Sequence, residues 1–244
     1  MPSQPTPLIA LEAIDYAPDG VPVLTDISFS TSARRIGIIG RNGSGKTSLA
    51  RVMAGLVSPH KGDARIAGID VSRDRKAALR HVGILFQNPD HQIIFPTVGE
   101  EIAFGLTQLD LSKTEVTAQV TAILTQFDKA HWGPAAIHQL SQGQRQLVCL
   151  MSVLAMQPQV IILDEPFAGL DIPTAMHLRR VLEGLDVTLV VITHDPDVVR
   201  GYDRVVWLEG GQVAQNGAPG HVLPIFEARM KQIGDGDDLS YVAG

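Results

Sequence analysis

Residues 40–47 read G-R-N-G-S-G-K-T, and this loop limits the possible folds more than any other stretch of the chain. It follows the apolar run 36–39 and precedes a helix-like stretch over residues 48–56. A strand, a glycine-rich loop and a helix in that order form a phosphate cradle. Glycines at 40, 43 and 45 let the chain curl so that successive backbone N–H groups face phosphate oxygens. The following helix adds the positive end of its dipole. The candidate contacts are therefore Gly40, Arg41, Asn42, Gly43, Ser44, Gly45, Lys46, Thr47 and Ser48. Lys46 has the reach for β- and γ-phosphates, and the Thr47 hydroxyl is placed to ligate Mg²⁺. The pattern implies a nucleoside triphosphate such as ATP.

A second motif, V-I-I-L-D-E-P at residues 160–166, supplies acids. Four apolar residues in a row suit a central parallel strand buried on both faces. Asp164 and Glu165 then fall at its C-terminal end, where open α/β sheets place their ligands. In an ATPase the first acid can hold Mg²⁺ through its water shell, and the second can polarise an attacking water. An acidic turn of no catalytic use would have the same local pattern. Its company with the phosphate cradle decides against that reading.

Between these motifs the rhythm is that of an α/β chain. Strands are predicted over residues 8–14, 23–30, 63–69, 82–87, 160–163, 189–193 and 204–209. Helical patterns cover residues 77–80, 114–127 and 144–156, the last apolar almost all round and so a buried helix. At 244 residues and 45% hydrophobic composition the chain can bury a full core. Its net charge of −6 gives no basic face for nucleic acid, and none is expected as a partner. Cys149 is the sole cysteine, which excludes an intrachain disulfide and a cysteine-rich metal site. The N-terminus lacks the basic start and apolar core of a signal peptide. The longest nearly apolar stretch, 147–156, falls short of the roughly 18 residues a membrane span needs. Together these imply a soluble, cytoplasmic protein.

The segment L-S-Q-G-Q at residues 140–144 opens the predicted buried helix and sits between the two phosphate motifs. Here the chain resembles the ATP-binding cassette (ABC) ATPases over nearly its whole length. Their signature is L-S-G-G-Q, from which this chain departs at Gln142 while keeping Ser141, Gly143 and Gln144. Ser141 and the Gly143 N–H at a helix N-terminus can bind a γ-phosphate. The resemblance implies that this phosphate belongs to ATP held by a second protomer, so that two chains close head-to-tail around two ATP·Mg²⁺.

Further positions fit the family in order. Tyr16 stands where relatives carry an aromatic that stacks on adenine, although a core tyrosine would satisfy the same pattern. Gln87 matches the glutamine that senses Mg²⁺ and the transporter. Asp171, in the A-G-L-D segment at 168–171, matches the loop that crosses the dimer interface. His194 matches the switch histidine that contacts γ-phosphate. The resemblance thus assigns Glu165, His194 and Gln87 to catalysis, and Thr47, Gln87 and Asp164 to Mg²⁺.

Residues 86–98 and 100–105 resemble the Q-N-P-D-x-Q…P-T-V-x-E-(E/D)-(I/V)-A-F-G stretch of energy-coupling-factor transporters. In those systems paired ABC ATPases drive a transmembrane coupling protein that works with a substrate-capture membrane protein. The run 140–154 looks most like the biotin-transporter ATPase, with cobalt or nickel as the other cargoes of the group. The implied protein is a homodimeric transport ATPase at the cytoplasmic face of the cell membrane. A conventional ABC importer subunit stays open, distinguished only by residues 88–105. A soluble non-transport ABC ATPase is disfavoured by the single cassette and the absence of sustained heptads. The expected architecture is an α/β P-loop NTPase core over residues 1–232. It has an N-terminal antiparallel β edge and an inserted α-helical subdomain at about 88–155. Residues 233–244 form an acidic mobile tail.

Overall fold

The computed structural model describes residues 6–236. Two sheets organise it. The first is antiparallel, with β1 (Ile9–Tyr16), β2 (Leu24–Thr31), β4 (Lys61–Ile66) and β5 (Ile69–Asp70) in the order β2-β1-β4-β5. The second contains β3 (Arg35–Ile39), β6 (Val82–Leu85), β7 (Val160–Asp164), β8 (Thr188–Thr193), β9 (Arg204–Glu209) and β10 (Gln212–Gly217). Its order is β10-β9-β3-β8-β7-β6, parallel except for the β9–β10 hairpin. The predicted strand over 63–69 divides in two because Ala67 and Gly68 both take positive φ, making a turn.

Alternation along the parallel strands explains why they are apolar throughout. Ile36, Ile38, Ile162, Val190 and Ile192 pack on one face with the first sheet and with α1 (Lys46–Met53). Ile39, Leu163, Val191 and Val205 pack on the other with the helices α3 (Val98–Thr107), α5 (Gln142–Ala155) and α6 (Ile172–Glu183). Both faces being covered, neither can carry a polar residue without a partner. The helices α3, α4 (Lys113–Gln126) and α5 lie in sequence between β6 and β7. The short α2 (Arg75–His81) precedes β6. Cys149 lies in α5 with no exposure, and burial pushes its thiol up to about 12, so it is an inert core residue.

A last helix, α7 (Pro219–Gly236), packs Val222, Leu223 and Phe226 into the core, with the Phe226 ring edge-on to Trp207 at 5.6 Å. It corrects the boundary drawn for the acidic tail, since helix continues past residue 232 to Gly236. Apolar side chains at 222, 223 and 226 recur at helical spacing and anchor it. The remainder of that tail lies outside the described residues.

Parallel register aligns the strand ends. Ile39 pairs with Thr193, Ile192 with Asp164, and Leu163 with Leu85. Four neighbouring strands therefore end together, and the chain segments leaving them emerge on one edge.

Ile162 is fully buried in the middle of this sheet, while Ile94 is 67% exposed. Ile162→Ala should cost about 2–5 kcal/mol through lost burial and a residual cavity. Ile94→Ala should stay within about 0.5 kcal/mol. Urea denaturation midpoints of the two variants check the contrast.

Candidate functional site

At that shared edge a cavity of about 380 Å³ is lined by Asn42, Gly43, Gly45, Lys46, Thr47, Ser48, Gln87, Asp164, Glu165 and His194, with Val23 from just before β2. The structure thus gathers residues that lie far apart in sequence. Two glycines explain the loop's shape. A Cβ at Gly40 would lie 2.4 Å from the Leu208 carbonyl oxygen and 2.6 Å from Ser44 Oγ. Gly45 has φ +96°, and a Cβ there would lie 2.7 Å from Leu24 Cδ2. The first glycine is demanded by space, the second by space and conformation.

Lys46 is buried at the start of α1, and its Nζ donates to the carbonyls of Gly40 at 2.8 Å and Arg41 at 2.9 Å. Burial holds its pKa below the usual lysine value, opposed by the carboxylates of Glu165 and Asp164. Asp164, at the end of β7, is 4% exposed, and its Oδ1 has no hydrogen-bond partner among the described residues. Burial raises its pKa, with the Thr47 hydroxyl pulling the other way. A buried carboxylate oxygen with no partner is a costly arrangement that a cation would relieve.

The donor set fits Mg²⁺. This ion prefers oxygen, keeps several waters, and is held by one or two carboxylates together with substrate phosphates. Thr47, Gln87 and Asp164 all line the cavity and supply such oxygens. Among the described residues no group of three or more His, Cys, Asp or Glu could hold a metal alone. Waters and phosphates would have to complete the shell.

Glu165 adopts φ +48°, a strained conformation for a non-glycine residue. Its N–H donates to the Ile192 carbonyl at 2.9 Å, which ties the turn to β8. One carboxylate oxygen accepts from the Thr193 hydroxyl at 3.2 Å, and the other lies 2.8 Å from His194 Nδ1. The side chain is 12% exposed. This is a carboxylate fixed by two neighbours and facing the loop lysine, an arrangement able to orient a water.

Several predicted residues lie elsewhere. Gly40 and Arg41 line a neighbouring cavity of about 500 Å³ with His194, Pro196 and Phe226, and Ser44 within the loop is buried. Tyr16 is not among the residues lining the Lys46 cavity, and its ring stands against His60, centroids 5.8 Å apart. Ser141, Gly143 and Gln144 line a separate cavity of about 340 Å³ with Lys129, Trp132 and His177. Within one chain the signature segment therefore does not meet the phosphate loop. Ser141 and Gln144 form a reciprocal cap, with Gln144 N–H donating to Ser141 Oγ at 3.3 Å and Ser141 N–H to Gln144 Oε1 at 2.8 Å. The S-x-x-Q spacing announces this capping box. A Cβ on Gly143 would lie 2.2 Å from Thr174 Cγ2, so the helix start packs directly on α6. Gln142 extends its amide toward Gly169. Asp171 caps α6 by accepting from Thr174 N–H at 2.8 Å.

Within the stretch 88–105 the apolar side chains divide between packing and exposure. Phe95 is half-buried, its ring 5.2 Å from that of Phe104. Ile94 at 67% and Phe104 at 38% exposure present the apolar surface instead.

Comparison with known proteins agrees with this geometry. The ABC transporter family model matches residues 24–168. The chain belongs to the ABC transporter ATPases. It is 51% identical over 88% of its length, and 92% of the relative's, to a biotin transport ATP-binding protein of Rhodobacter capsulatus. An energy-coupling factor transporter ATP-binding protein of Methanocaldococcus jannaschii is 37% identical over 88% of this chain and 80% of its own length. Among solved structures, cbiO1 of Clostridium perfringens, part of the ABC transporter complex cbiONQ, superposes with TM-score 0.77 at 29% identity, covering 93% of this chain and 95% of that one. This ABC ATPase is the ATP-binding subunit of a transporter of the energy-coupling-factor type. Among its described residues no helix is long and apolar enough to cross a membrane.

Asp164 gives a pH-dependent test. A carboxyl whose folded pKa is raised binds more protons folded than unfolded, so its charge opposes folding once pH climbs above the ordinary 3.8. Asp164→Asn should therefore raise the melting temperature of the nucleotide-free protein at neutral pH. The gain should shrink as pH falls through the folded pKa and vanish below 3.8, where the acid is protonated in both states. Thermal melts of both proteins across that range check the sign.

Proposed function

We propose that this ATPase drives an energy-coupling-factor importer, with biotin as the cargo. Two copies work at the cytoplasmic face of the membrane on a transmembrane coupling protein paired with a separate substrate-capture protein. One relation carries this reading: Gln87 lines the Lys46 cavity, and the segment after it runs to the exposed Ile94 and Phe104. A second apolar cavity of about 320 Å³, lined by Ala54, Leu56, Leu79, Val153 and Met156, lies beside the strand that leads to Gln87. Leu56 and Leu79 are 50% and 40% exposed. Such a surface suits an amphipathic helix of a membrane partner. The likeness to the Rhodobacter protein supports biotin.

In the proposed mechanism the loop from Gly40 to Ser48 cradles the phosphates of ATP, and Lys46 turns its ammonium from loop carbonyls to β- and γ-oxygens. Thr47, Gln87 and Asp164 would hold Mg²⁺, which when bound neutralises phosphate charge. Glu165 orients and polarises the attacking water. His194 braces Glu165 and reaches the γ-phosphate, while Tyr16 offers a ring face to adenine. Ser141, Gly143 and Gln144 of the second protomer complete the site at the γ-phosphate, with the loop ending at Asp171 crossing the interface. Most of the rate comes from positioning and fixed charge.

Glu165→Gln keeps shape and hydrogen bonding but loses the charge. Turnover should fall by about 10²–10⁴-fold, with ATP still bound and a closed dimer trapped. Adding Ser141→Arg should return that dimer to monomer in light scattering. In cells carrying the partner proteins, an Ile94→Asp, Phe104→Asp pair should abolish biotin uptake while the purified subunit keeps its ATP affinity. Biotin uptake that persists without this subunit, with cobalt or nickel uptake lost, would move the cargo to the metal ions.

A further inference from the structure

We infer that Arg145 is a positioning residue that joins the partner-facing segment to the signature turn. Its place is unusual for a charge. It sits in the first turn of α5, directly after Gln144, with its side chain 23% exposed. One guanidinium nitrogen, Nη1, donates to the carbonyl of Leu140, the residue immediately before Ser141, at 2.8 Å. Another, Nε, is shielded from water and lies 2.9 Å from Asp90 Oδ1, an ion contact whose N–H is not aimed at the carboxylate. Asp90 belongs to the short helical turn Pro89–His91, just after Gln87.

The same segment is fastened a second time. Glu101, buried in α3, accepts from the N–H groups of both Ile94 and Phe95 at 2.9 Å. Residues 89–95 are thus strapped at one end to the helix bearing the signature and at the other to α3. A rigid strap passes displacement instead of absorbing it. A push on Ile94 therefore reaches Asp90, and from Asp90 it passes through one guanidinium to the carbonyl before Ser141. Lysine would serve less well, because the guanidinium keeps one nitrogen on the Leu140 carbonyl while another stays beside the Asp90 carboxylate, and a single ammonium has no such separated pair.

The role given to Arg145 rests on the proposed use of Ser141 across the dimer. The contact gives Asp90 a role within the chain, beside any that its exposed side chain has toward a partner.

The isolated, full-length subunit distinguishes these roles, because no membrane partner is present to grip. Asp90→Asn should lower its kcat by between about 3- and 30-fold, the scale of a partly shielded charged contact, with the KM for ATP and the melting temperature unchanged. Asp90→Glu should restore kcat. Arg145→Lys should give a similar loss, and the double variant Asp90→Asn, Arg145→Lys should lose no more than the larger single effect. Wild-type kcat in Asp90→Asn, or losses that add in the double variant, would overturn the inference. If Arg145→Lys folds poorly, the Asp90 pair still decides, since Asp90 is 59% exposed. Should Ser141→Arg leave ATP-driven dimerisation intact, the cross-dimer reading fails instead, which is a separate result.

Discussion

The whole site depends on charges held in a nearly dry edge of the sheet without direct partners of opposite sign. Lys46 is satisfied by carbonyls of its own loop, and one oxygen of Asp164 by nothing among the described residues. Neither arrangement favours folding, since burying charge is costly unless it is paired. What tolerates them is the two-faced apolar packing of β3, β7 and β8, which fixes the strand ends whatever those ends carry. A carboxylate at Asp164 is therefore a local loss of stability retained where a cation and phosphates can exploit it.

The same logic separates the two halves of the proposed ATP site. Everything that needs a precise angle to the phosphates grows from one edge, where register alone sets spacing. The signature grows from the N-terminus of α5, beyond helices α3 and α4, and opens on another cavity. Its own bonds are turned inward: Ser141 and Gln144 cap each other, and Gly143 fits against Thr174. Such a surface is preformed but unfinished within one chain, which is the physical basis for expecting a second copy to complete it. The departure at Gln142 leaves this cap undisturbed, because its side chain leans away toward Gly169.

Much of this is legible in the residues, and what is not has identifiable causes. Phosphate loop, acidic strand end and parallel sheet can be read because each requires particular residue types in a row. The strand over 160–163 is apolar at every position, and no loop tolerates that. Helix α6 escapes because its pattern comes directly after Asp171, which the resemblance claims for an interface, while the structure shows it as a helix cap. The β10 strand reads Q-V-A-Q-N-G, too polar to announce itself, and exists because it pairs with the apolar β9. The end of α7 reads as tail by composition, although its buried face lies earlier, at Val222, Leu223 and Phe226. Tyr16 is the residue whose role is least determined by pattern alone, and its position against His60 shows why: a ring at a strand end can serve packing and stacking alike.

The strain at Glu165 adds a last constraint on how the molecule can work. A positive φ at a non-glycine residue persists only where its surroundings over-determine it. Here the N–H is held by Ile192 and the carboxylate by Thr193 and His194, three consecutive residues at the end of β8. The acid is consequently fixed to the sheet and not to a mobile loop, so in the proposed mechanism partner movements cannot tune turnover by moving it. They can act only on what is less firmly set: Gln87, which is exposed at the cavity wall, and the signature turn behind Arg145. Both adjoin the segment that Asp90 and Glu101 strap in place. On the proposed reading the chemistry stays on rigid strands, and control is left to the approach of the second half-site.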